Sequence, residues 1–194
     1  MRIRFLLAII CAAILSGCAY QSVPDPEISA RDKEWMAKVP KGEHNPIYAR
    51  YLVNYTTTEA PGTIIIDTRQ RLLHYVLPNG KAIRYGVAVG DEAYGWTGVA
   101  HIARKAEWPN WTPTASMMRR WPHVRPTVGG PHNPLGARAL YLYQGNVDTL
   151  YRIHGTNDPS DIGRKVSSGC IRMRNIDVIE LYNRTKMGTK VIVK

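Results

Sequence analysis

The chain has 194 residues, of which 44% are hydrophobic and 21% charged, and this length predicts one folded domain. The composition excludes collagen, coiled-coil and globally disordered chains, because each of those classes needs a much stronger bias. The formal net charge of +11 suits an anionic partner, such as a membrane surface or a carboxylate-rich polymer. No basic helix, zinc-finger spacing or aromatic RNA-binding stretch supports nucleic acid as that partner.

The first residues have the pattern of a bacterial export signal. Arg2 and Arg4 precede an uninterrupted apolar run over residues 5–15. At about 1.5 Å per helical residue the run is too short to cross a hydrocarbon core of about 30 Å, so it predicts a signal peptide. The sequence Leu-Ser-Gly-Cys at residues 15–18 resembles a lipobox, which implies cleavage before Cys18 and its lipidation. A plain secreted protein with an incidental cysteine remains the alternative.

Three parts of the chain follow from this pattern. Residues 1–17 are the predicted lipoprotein signal peptide, residues 18–57 a polar, proline-containing tether, and residues 58–194 the globular domain. A short helix is possible over residues 30–39. Because Ala19 and not Asp follows Cys18, the usual sorting rule for lipoproteins favours the outer membrane, with the domain facing the periplasm.

The globular part is rich in predicted strands. Apolar and β-branched runs predict strands over residues 63–68, 72–77 and 82–89, with a tight hairpin turn at residues 78–80. Further strands are expected over residues 99–104, 138–143, 149–154 and 189–193. One helix is predicted after Asn175, its expected N-cap, and before Gly188. This pattern favours a mainly β (α+β) domain with a sandwich- or barrel-like sheet.

Residues 108–136 interrupt the strand pattern with six of the 13 prolines and three of the five tryptophans. Irregular loops of this length are uncommon in compact domains and usually cover or bind a ligand. We predict a substrate-covering lid with a short helix over residues 114–120. A surface insertion without function is the alternative, although exposed Trp and Met side chains would be costly there.

Cys170 is the cysteine that remains for the globular domain, because Cys11 leaves with the signal peptide and Cys18 is predicted to carry lipid. It is either a small buried hydrophobe or a reactive thiol. A thiol nucleophile needs an imidazole nearby, since a free thiol with a pKa of about 8.5 is mostly protonated at neutral pH. His154, at the end of a predicted strand, could supply that imidazole and, as an imidazolium, stabilise the thiolate.

The segment His-Gly-Thr at residues 154–156, followed by Ser-Ser-Gly-Cys-Ile-Arg-Met at residues 167–173, resembles the catalytic motif of the L,D-transpeptidases. These enzymes cross-link peptidoglycan and are insensitive to penicillin. Upstream, residues 61–67, 86–90 and 133–137 resemble further elements of the family, so the resemblance covers residues 58–194. It implies a β-rich catalytic domain, peptidoglycan stem peptides as partners, carbapenems as covalent inhibitors, and no cofactor.

Matching this motif position by position implies a role for each residue. Cys170 corresponds to the nucleophile and His154 to the general base and acid. Some members have a serine after the histidine, whereas here the Gly155 carbonyl would have to orient the ring. The implied oxyanion hole consists of the backbone N–H groups of Ser168, Gly169 and Cys170. The implied substrate-binding residues are Arg172, Ser167, Asn133 and Gly136.

The role of Arg172 has an alternative in the sequence, and a metal site among the histidines can also be considered. Arg172 offers a guanidinium to a substrate carboxylate, but it could equally form a structural ion pair within the motif turn. His123 and His132 in the predicted lid lack a cysteine or clustered carboxylates at ligand spacing, so no metal site is expected.

The resemblance implies that Cys170 attacks the carbonyl of the third residue of a tetrapeptide stem and releases D-Ala. The thioester is then transferred to an amine of a second stem, which gives a 3→3 cross-link. Other functions stay open from the sequence alone. The same acyl-enzyme could react with a protein amine or with water, or the chain could be a non-catalytic lipoprotein that ties the membrane to peptidoglycan.

Overall fold

The computed structural model describes residues 20–43, 45–91 and 95–194. The predicted signal peptide and the lipidation of Cys18 lie outside these ranges. The helices are α1 (Ala30–Met36), α2 (Ala115–Arg120) and α3 (Asn175–Arg184). The strands are β1 (Gln21–Ser22), β2 (Tyr51–Asn54), β3 (Ile64–Asp67), β4 (Leu72–Leu77), β5 (Lys81–Gly86), β6 (Val89–Gly90), β7 (Gly98–Glu107), β8 (Arg138–Gln144), β9 (Val147–His154), β10 (Lys165–Ser167), β11 (Ile171–Arg172) and β12 (Lys190–Val193).

Ten of the described strands form one curved sheet, in the order β1-β2-β5-β4-β3-β12-β7-β8-β9-β11, and β10 pairs separately with β6. Most neighbours in the sheet are antiparallel, while β12 runs parallel to β3 and β11 parallel to β9. Ala88 and Arg172 exchange two backbone hydrogen bonds of 2.9 Å, which connect the chain after β5 to the edge strand β11. The predicted mainly β fold with few helices is confirmed.

The strands of the sheet form where apolar and polar residues alternate in the sequence or where a run of residues is apolar throughout. Ile64 and Ile66 of β3 enter the main core, whereas Ile65 between them is buried outside that cluster, as expected when successive side chains point to opposite faces. The three-residue turn between β4 and β5, residues 78–80, has Asn79 and Gly80 at φ 59° and 65°, left-handed values that Asn and Gly adopt more readily than other residues. The predicted strand over residues 72–77 coincides with β4.

One core joins both halves of the sheet to α3. Side chains from β3, β4 and β5 pack with side chains from β8, β9 and α3, and the fully buried members include Leu73, Tyr85, Leu140, Leu142, Ile153 and Leu181. The curved sheet therefore encloses its own core, in the manner of the predicted sandwich or barrel. No helix in the described part of the chain is long and apolar enough to cross a membrane.

Residues 20–57 are part of the folded unit, since they contribute β1 and β2 to the sheet, and this differs from the free tether predicted from their proline content. The carboxylate of Asp32 in α1, which is 1% exposed, accepts hydrogen bonds of 2.9 and 2.8 Å from the Arg138 guanidinium. Arg50 donates a 2.8 Å hydrogen bond to Asp177 of α3. Because an unpaired buried charge is very costly, these pairs hold the segment on the folded unit.

Helix α3 begins one residue earlier than predicted. Its N-cap is Arg174, which makes no side-chain cap, and Asn175 is the first helical residue. The Asn175 side chain turns away from the helix end and bonds the backbone of residues 137 and 156. The helix ends at Arg184, before the predicted stop at Gly188.

Candidate active site

Strand β9 ends at His154 and fixes the position of its ring. His154 lies opposite Ala139 of β8 and beside Arg172 of β11, and its side chain is buried. The Nδ1 atom lies 2.6 Å from the Gly155 carbonyl oxygen. A carbonyl can only accept, so Nδ1 carries the proton and Nε2 keeps a lone pair, which is the tautomer of a general base.

Cys170 directly precedes β11. Because β11 pairs with β9, Cys170 lies next to the strand that ends in His154. The register pairs Ile171 with Ile153, which places Cys170 beside the preceding part of β9. Its sulfur lies 3.8 Å from the Leu150 carbonyl oxygen, and the Arg152 backbone N–H donates to it. The structure thus places His154 at the end of β9 and Cys170 directly before the neighbouring strand β11.

Burial determines the protonation of this pair. It raises the pKa of the Cys170 thiol above its usual value, although the Arg152 backbone N–H and the charges of Arg152 and Arg172 act in the opposite direction. Burial also lowers the pKa of His154 to about 3, and the charge of Arg172 adds to that effect. Both shifts favour the uncharged forms of the two groups, a thiol and a neutral imidazole, at neutral pH.

The turn before Cys170 depends on two glycines. Gly169 has a φ of 121°, which L residues rarely adopt. A Cβ added to Gly90 of β6 would lie 2.7 Å from the Gly169 Cα, so the two backbones touch. A left-handed residue among successive amides is typical of anion-binding turns, and the oxyanion hole at Ser168, Gly169 and Cys170 stays a prediction. The side chain of Ser167 is outside the described part, so its role also stays a prediction.

A cavity of about 520 Å³ opens over Cys170. Its wall on one side is helix α2 with Trp121, and on the other side Ser168, Cys170 and the stretch of β9 at residues 149–151. The predicted short helix is confirmed by α2, whose N-cap Thr114 accepts a hydrogen bond from the Met117 N–H. Part of the segment over residues 108–136 therefore lines the same cavity as the thiol, and its role as a lid stays a prediction.

The base of this lid is closed by backbone and side-chain contacts. Trp111 and Thr127 exchange two backbone hydrogen bonds of 2.9 Å. Trp108 is buried and donates its indole N–H to Asp32 at 2.7 Å. Only the part between residues 111 and 127 thus projects over the cavity.

A second cavity of about 370 Å³ borders Gly169, the residue before Cys170 in the motif turn. It is lined by Gly169 and Ile171 together with Arg69, Trp96 and Lys165, among others. Adjacent residues of the turn, Cys170 and Gly169, therefore open to different cavities. Apart from residues of the motif turn and of the lid, the lining residues of these two cavities were not identified from the sequence.

Three predicted substrate-binding residues have structural partners. Arg172 donates to Asp161 at 2.5 Å, which is the ion pair that the sequence left open as the alternative. Asn133 is buried and bonds the loop backbone at residues 127, 128 and 135, so its side chain has a structural role in the loop. Gly136 is also buried, and a Cβ there would lie 2.4 Å from the Thr156 nitrogen, so close backbone packing by itself requires a glycine. The contacts of both residues with substrate stay predictions.

Within residues 20–43, 45–91 and 95–194, no cluster of three or more His, Cys, Asp or Glu side chains could hold a metal ion. Independently of that, Cys170 and His154 offer a thiol and an imidazole base on neighbouring segments. Such a pair can form and release an acyl thioester.

Comparison with known proteins shows similarity along most of the chain. The L,D-transpeptidase catalytic domain family (YkuD) matches residues 61–193. A putative L,D-transpeptidase of Fuscovulum blasticum is 41% identical over 133 residues, which are 67% of this chain and 68% of that protein. Several probable L,D-transpeptidases of Escherichia coli are longer, and this chain spans less than half of their length.

Solved structures share the fold. A Brucella melitensis protein described as a probable carnitine operon oxidoreductase has a TM-score of 0.54 and 46% identity, covering 77% of this chain and 96% of that one. That description applies to the Brucella protein and is not transferred here. A cysteine-to-serine mutant of the Enterococcus faecium L,D-transpeptidase has a TM-score of 0.53 at 17% identity, covering 68% and 49% of the two chains. The motif, the β fold and the match over residues 61–193 together establish that this chain belongs to the L,D-transpeptidase catalytic domain family, whose members are acyltransferases.

Proposed function

We propose that the protein joins peptidoglycan stem peptides through 3→3 cross-links, with Cys170 as the nucleophile and His154 as its base. The observation that carries this proposal is the hydrogen bond from His154 Nδ1 to the Gly155 carbonyl. It directs the basic Nε2 of a neutral imidazole away from that carbonyl, on a strand that runs beside a half-buried thiol.

In the first step the sulfur attacks the carbonyl carbon of the third stem residue while its proton passes to His154 Nε2. Charge therefore appears only as the transition state forms, since both groups rest neutral in this site. The backbone N–H groups at residues 168–170 would stabilise the oxyanion. Collapse of the tetrahedral intermediate transfers the imidazolium proton to the D-Ala amine, which leaves, and a thioester remains on Cys170.

In the second step an amine of another stem attacks the thioester, and His154 again accepts and returns the proton. Two observations support an amine acceptor bound by the protein. The cavities at Cys170 and at Gly169 offer room for two chains, and helix α2 covers the thiol and limits the access of water. The surplus of positive charge suits a polymer that carries carboxylates.

The test is the full chain, purified in detergent, acting on isolated tetrapeptide muropeptides. Mass spectrometry should show dimers that have lost D-Ala, and Cys170→Ser should lower their rate of formation by about 1,000-fold or more. Circular dichroism of the variant controls for folding. A serine variant with a substantial share of the rate would show that Cys170 is not the nucleophile, while hydrolysed monomers as the main product would identify water as the acceptor.

The same thiol should be acylated by carbapenems. Intact-protein mass spectrometry should find one adduct on the wild-type chain and none on Cys170→Ser. An equal adduct on both proteins would contradict a thioester at this residue.

We also propose that Cys18 carries a lipid that holds the domain on the periplasmic side of the outer membrane. The support is the basic, apolar and lipobox-like sequence at residues 2–18. Fractionation of cells that express the wild type or Cys18→Ala should find only the wild type in the outer membrane. A Cys18→Ala protein that stays in the membrane fraction would contradict lipid anchoring.

A further inference from the structure

Asn175 is a buried side chain whose hydrogen bonds go to the backbone around His154. Its Oδ1 accepts from the Ala137 N–H at 2.9 Å and from the Thr156 N–H at 3.1 Å. Its Nδ2 donates to the Thr156 carbonyl at 2.9 Å. All three of these partners are main-chain groups, so the amide fixes backbone and not another side chain.

One of these bonds acts on the peptide plane that orients the catalytic ring. The N–H of Thr156 and the carbonyl of Gly155 belong to the same planar trans peptide and point in opposite directions. When Asn175 Oδ1 holds the N–H on one side, the carbonyl is held toward the other side. That carbonyl is the group that lies 2.6 Å from His154 Nδ1.

Strand pairing alone does not fix this plane. The last backbone bonds beside β9 are those of the His154 carbonyl with the Met173 N–H and of the Gly155 N–H with the Arg138 carbonyl. Both lie before the plane between Gly155 and Thr156. In the described part of the chain, both backbone polar groups of Thr156 have Asn175 as their partner.

The surrounding backbone is shaped to admit this amide. A Cβ added to either Gly136 or Gly155 would lie 2.2 Å from Asn175 Oδ1. The helix that carries Asn175 is itself fixed, because Asp177 in its first turn accepts from Arg50 at 2.8 Å and from Arg174 at 2.6 Å. Asn175 thus acts from a rigid support.

We propose that Asn175 is a positioning residue for acyl transfer: it holds the peptide plane after Gly155 so that the carbonyl keeps His154 in the tautomer with the proton on Nδ1. The effect on turnover rests on the proposed function. The effect on the imidazole tautomer does not, and the two can be measured separately.

The experiment is nitrogen-15 NMR of the histidine rings in the full chain, with the His154 signals assigned by their loss in His154→Gln. The wild type should show a single tautomer protonated at Nδ1. Asn175→Ala should show a mixture with the proton partly on Nε2, because the carbonyl is no longer held. Its kcat/KM for cross-linking should fall by about 10-fold or more, as for other residues that orient a catalytic group through hydrogen bonds.

Two further variants separate positioning from general loss of structure. Asn133→Ala removes another buried asparagine with three bonds to backbone, and it should leave the His154 tautomer unchanged. Asn175→Asp keeps the oxygen acceptor for the Thr156 N–H and should keep the Nδ1-protonated form as the major tautomer, even if Asn175→Ala fails to fold.

A folded Asn175→Ala protein with the wild-type tautomer would overturn the proposal, as would an Asn175→Asp protein whose proton has moved to Nε2. A changed tautomer in Asn175→Ala, together with a wild-type chain that forms no cross-links, would support the positioning role and contradict only the proposed function.

Discussion

Residues 20–57 and residues 108–136 are both rich in proline and each contains one short helix, yet they relate differently to the rest of the molecule. In the first segment Asp32 and Arg50 are buried in ion pairs with the domain. In the second, helix α2 has no buried residue, and Met118, Trp121 and Val128 are 46%, 36% and 78% exposed. One segment is docked, and the other covers a cavity.

The difference shows that proline content predicts irregular backbone but not detachment. Whether such a segment packs on the domain depends on whether one of its charged side chains forms a buried ion pair there. The two segments meet at Asp32, which bonds both Arg138 and the indole of Trp108. The lid therefore has a docked base and an exposed tip, and the comparison can be tested on each part.

The largest effect is expected when the docked segment loses its carboxylate. Asp32→Ala should lower the free energy of unfolding by about 3–5 kcal/mol, because it leaves the Arg138 charge buried without its close partner. Urea unfolding at pH 7 measures this. Arg31→Ala is the matched control, since it breaks an exposed ion pair with Glu107 and should cost less than about 1 kcal/mol. Equal losses would mean that the segment is not held by its buried charge.

A second test measures how acid pH affects the folded protein through His74. The ring of His74 stacks on that of Tyr55 in the docked segment, with 4.3 Å between the ring centroids. Burial lowers the pKa of His74 to about 4, with the charge of Arg84 acting in the same direction. In the unfolded chain His74 is protonated below a pH of about 6.5, whereas in the folded chain it stays neutral down to a pH of about 4. The free energy of unfolding is therefore highest above pH 6.5 and falls as the pH drops toward 4.

Between pH 6.5 and 4.5 the contribution of His74 is about 2–3 kcal/mol. Urea unfolding of His74→Gln should therefore show a smaller loss over this interval than the wild type. The buried His154 has its pKa lowered to about 3 and remains in both proteins, so it cancels in the comparison. Parallel curves would show that His74 titrates normally.

Replacing the exposed tip of the lid, residues 115–121, with a Gly-Ser linker should change the free energy of unfolding by less than about 1 kcal/mol, since helix α2 buries no side chain. Cross-linking should nevertheless fall by about 100-fold, because the donor is no longer positioned over Cys170. Alkylation of Cys170 by iodoacetamide should persist or accelerate. Loss of both reactions together with the fold would show that the tip is structural.

The smallest effects come from two helix caps that make the same hydrogen bond. Ser29 caps α1 in the docked segment, and Thr114 caps α2 in the lid. Each alanine variant should cost its helix about 1 kcal/mol. Ser29→Ala should lower the global free energy of unfolding, whereas Thr114→Ala should only speed hydrogen exchange within α2. Equal global losses would mean that the tip is docked as firmly as α1.

Local features of the fold could be predicted from the sequence. The alternation over residues 72–77 and the Pro-Asn-Gly turn locate β4 and its hairpin, because pleat and turn geometry depend on neighbouring residues. The pair of Asp32 and Arg138, 106 positions apart, has no local signal. The segment around it was therefore predicted as a tether.

The site shows the same limit. The motif identifies His154 and Cys170, and the structure places His154 at the end of β9 and Cys170 directly before the adjacent strand β11. Gly136 was predicted to bind substrate, but a glycine gives the same signal whether a ligand or another backbone approaches it. Asn175 was predicted as a helix cap, since asparagine favours that position. Its actual partners depend on three segments that meet only in the folded chain.

The position of β12 has a consequence for how the protein folds. This strand follows the other strands in sequence, yet it lies in the middle of the sheet between β3 and β7. The two halves of the sheet cannot be joined before it is in place, so its pairings are long-range and slow to form. Until then β3 and β7 expose open edges that can pair with other chains. During folding, the greatest risk of aggregation therefore lies at what becomes the best-protected part of the molecule.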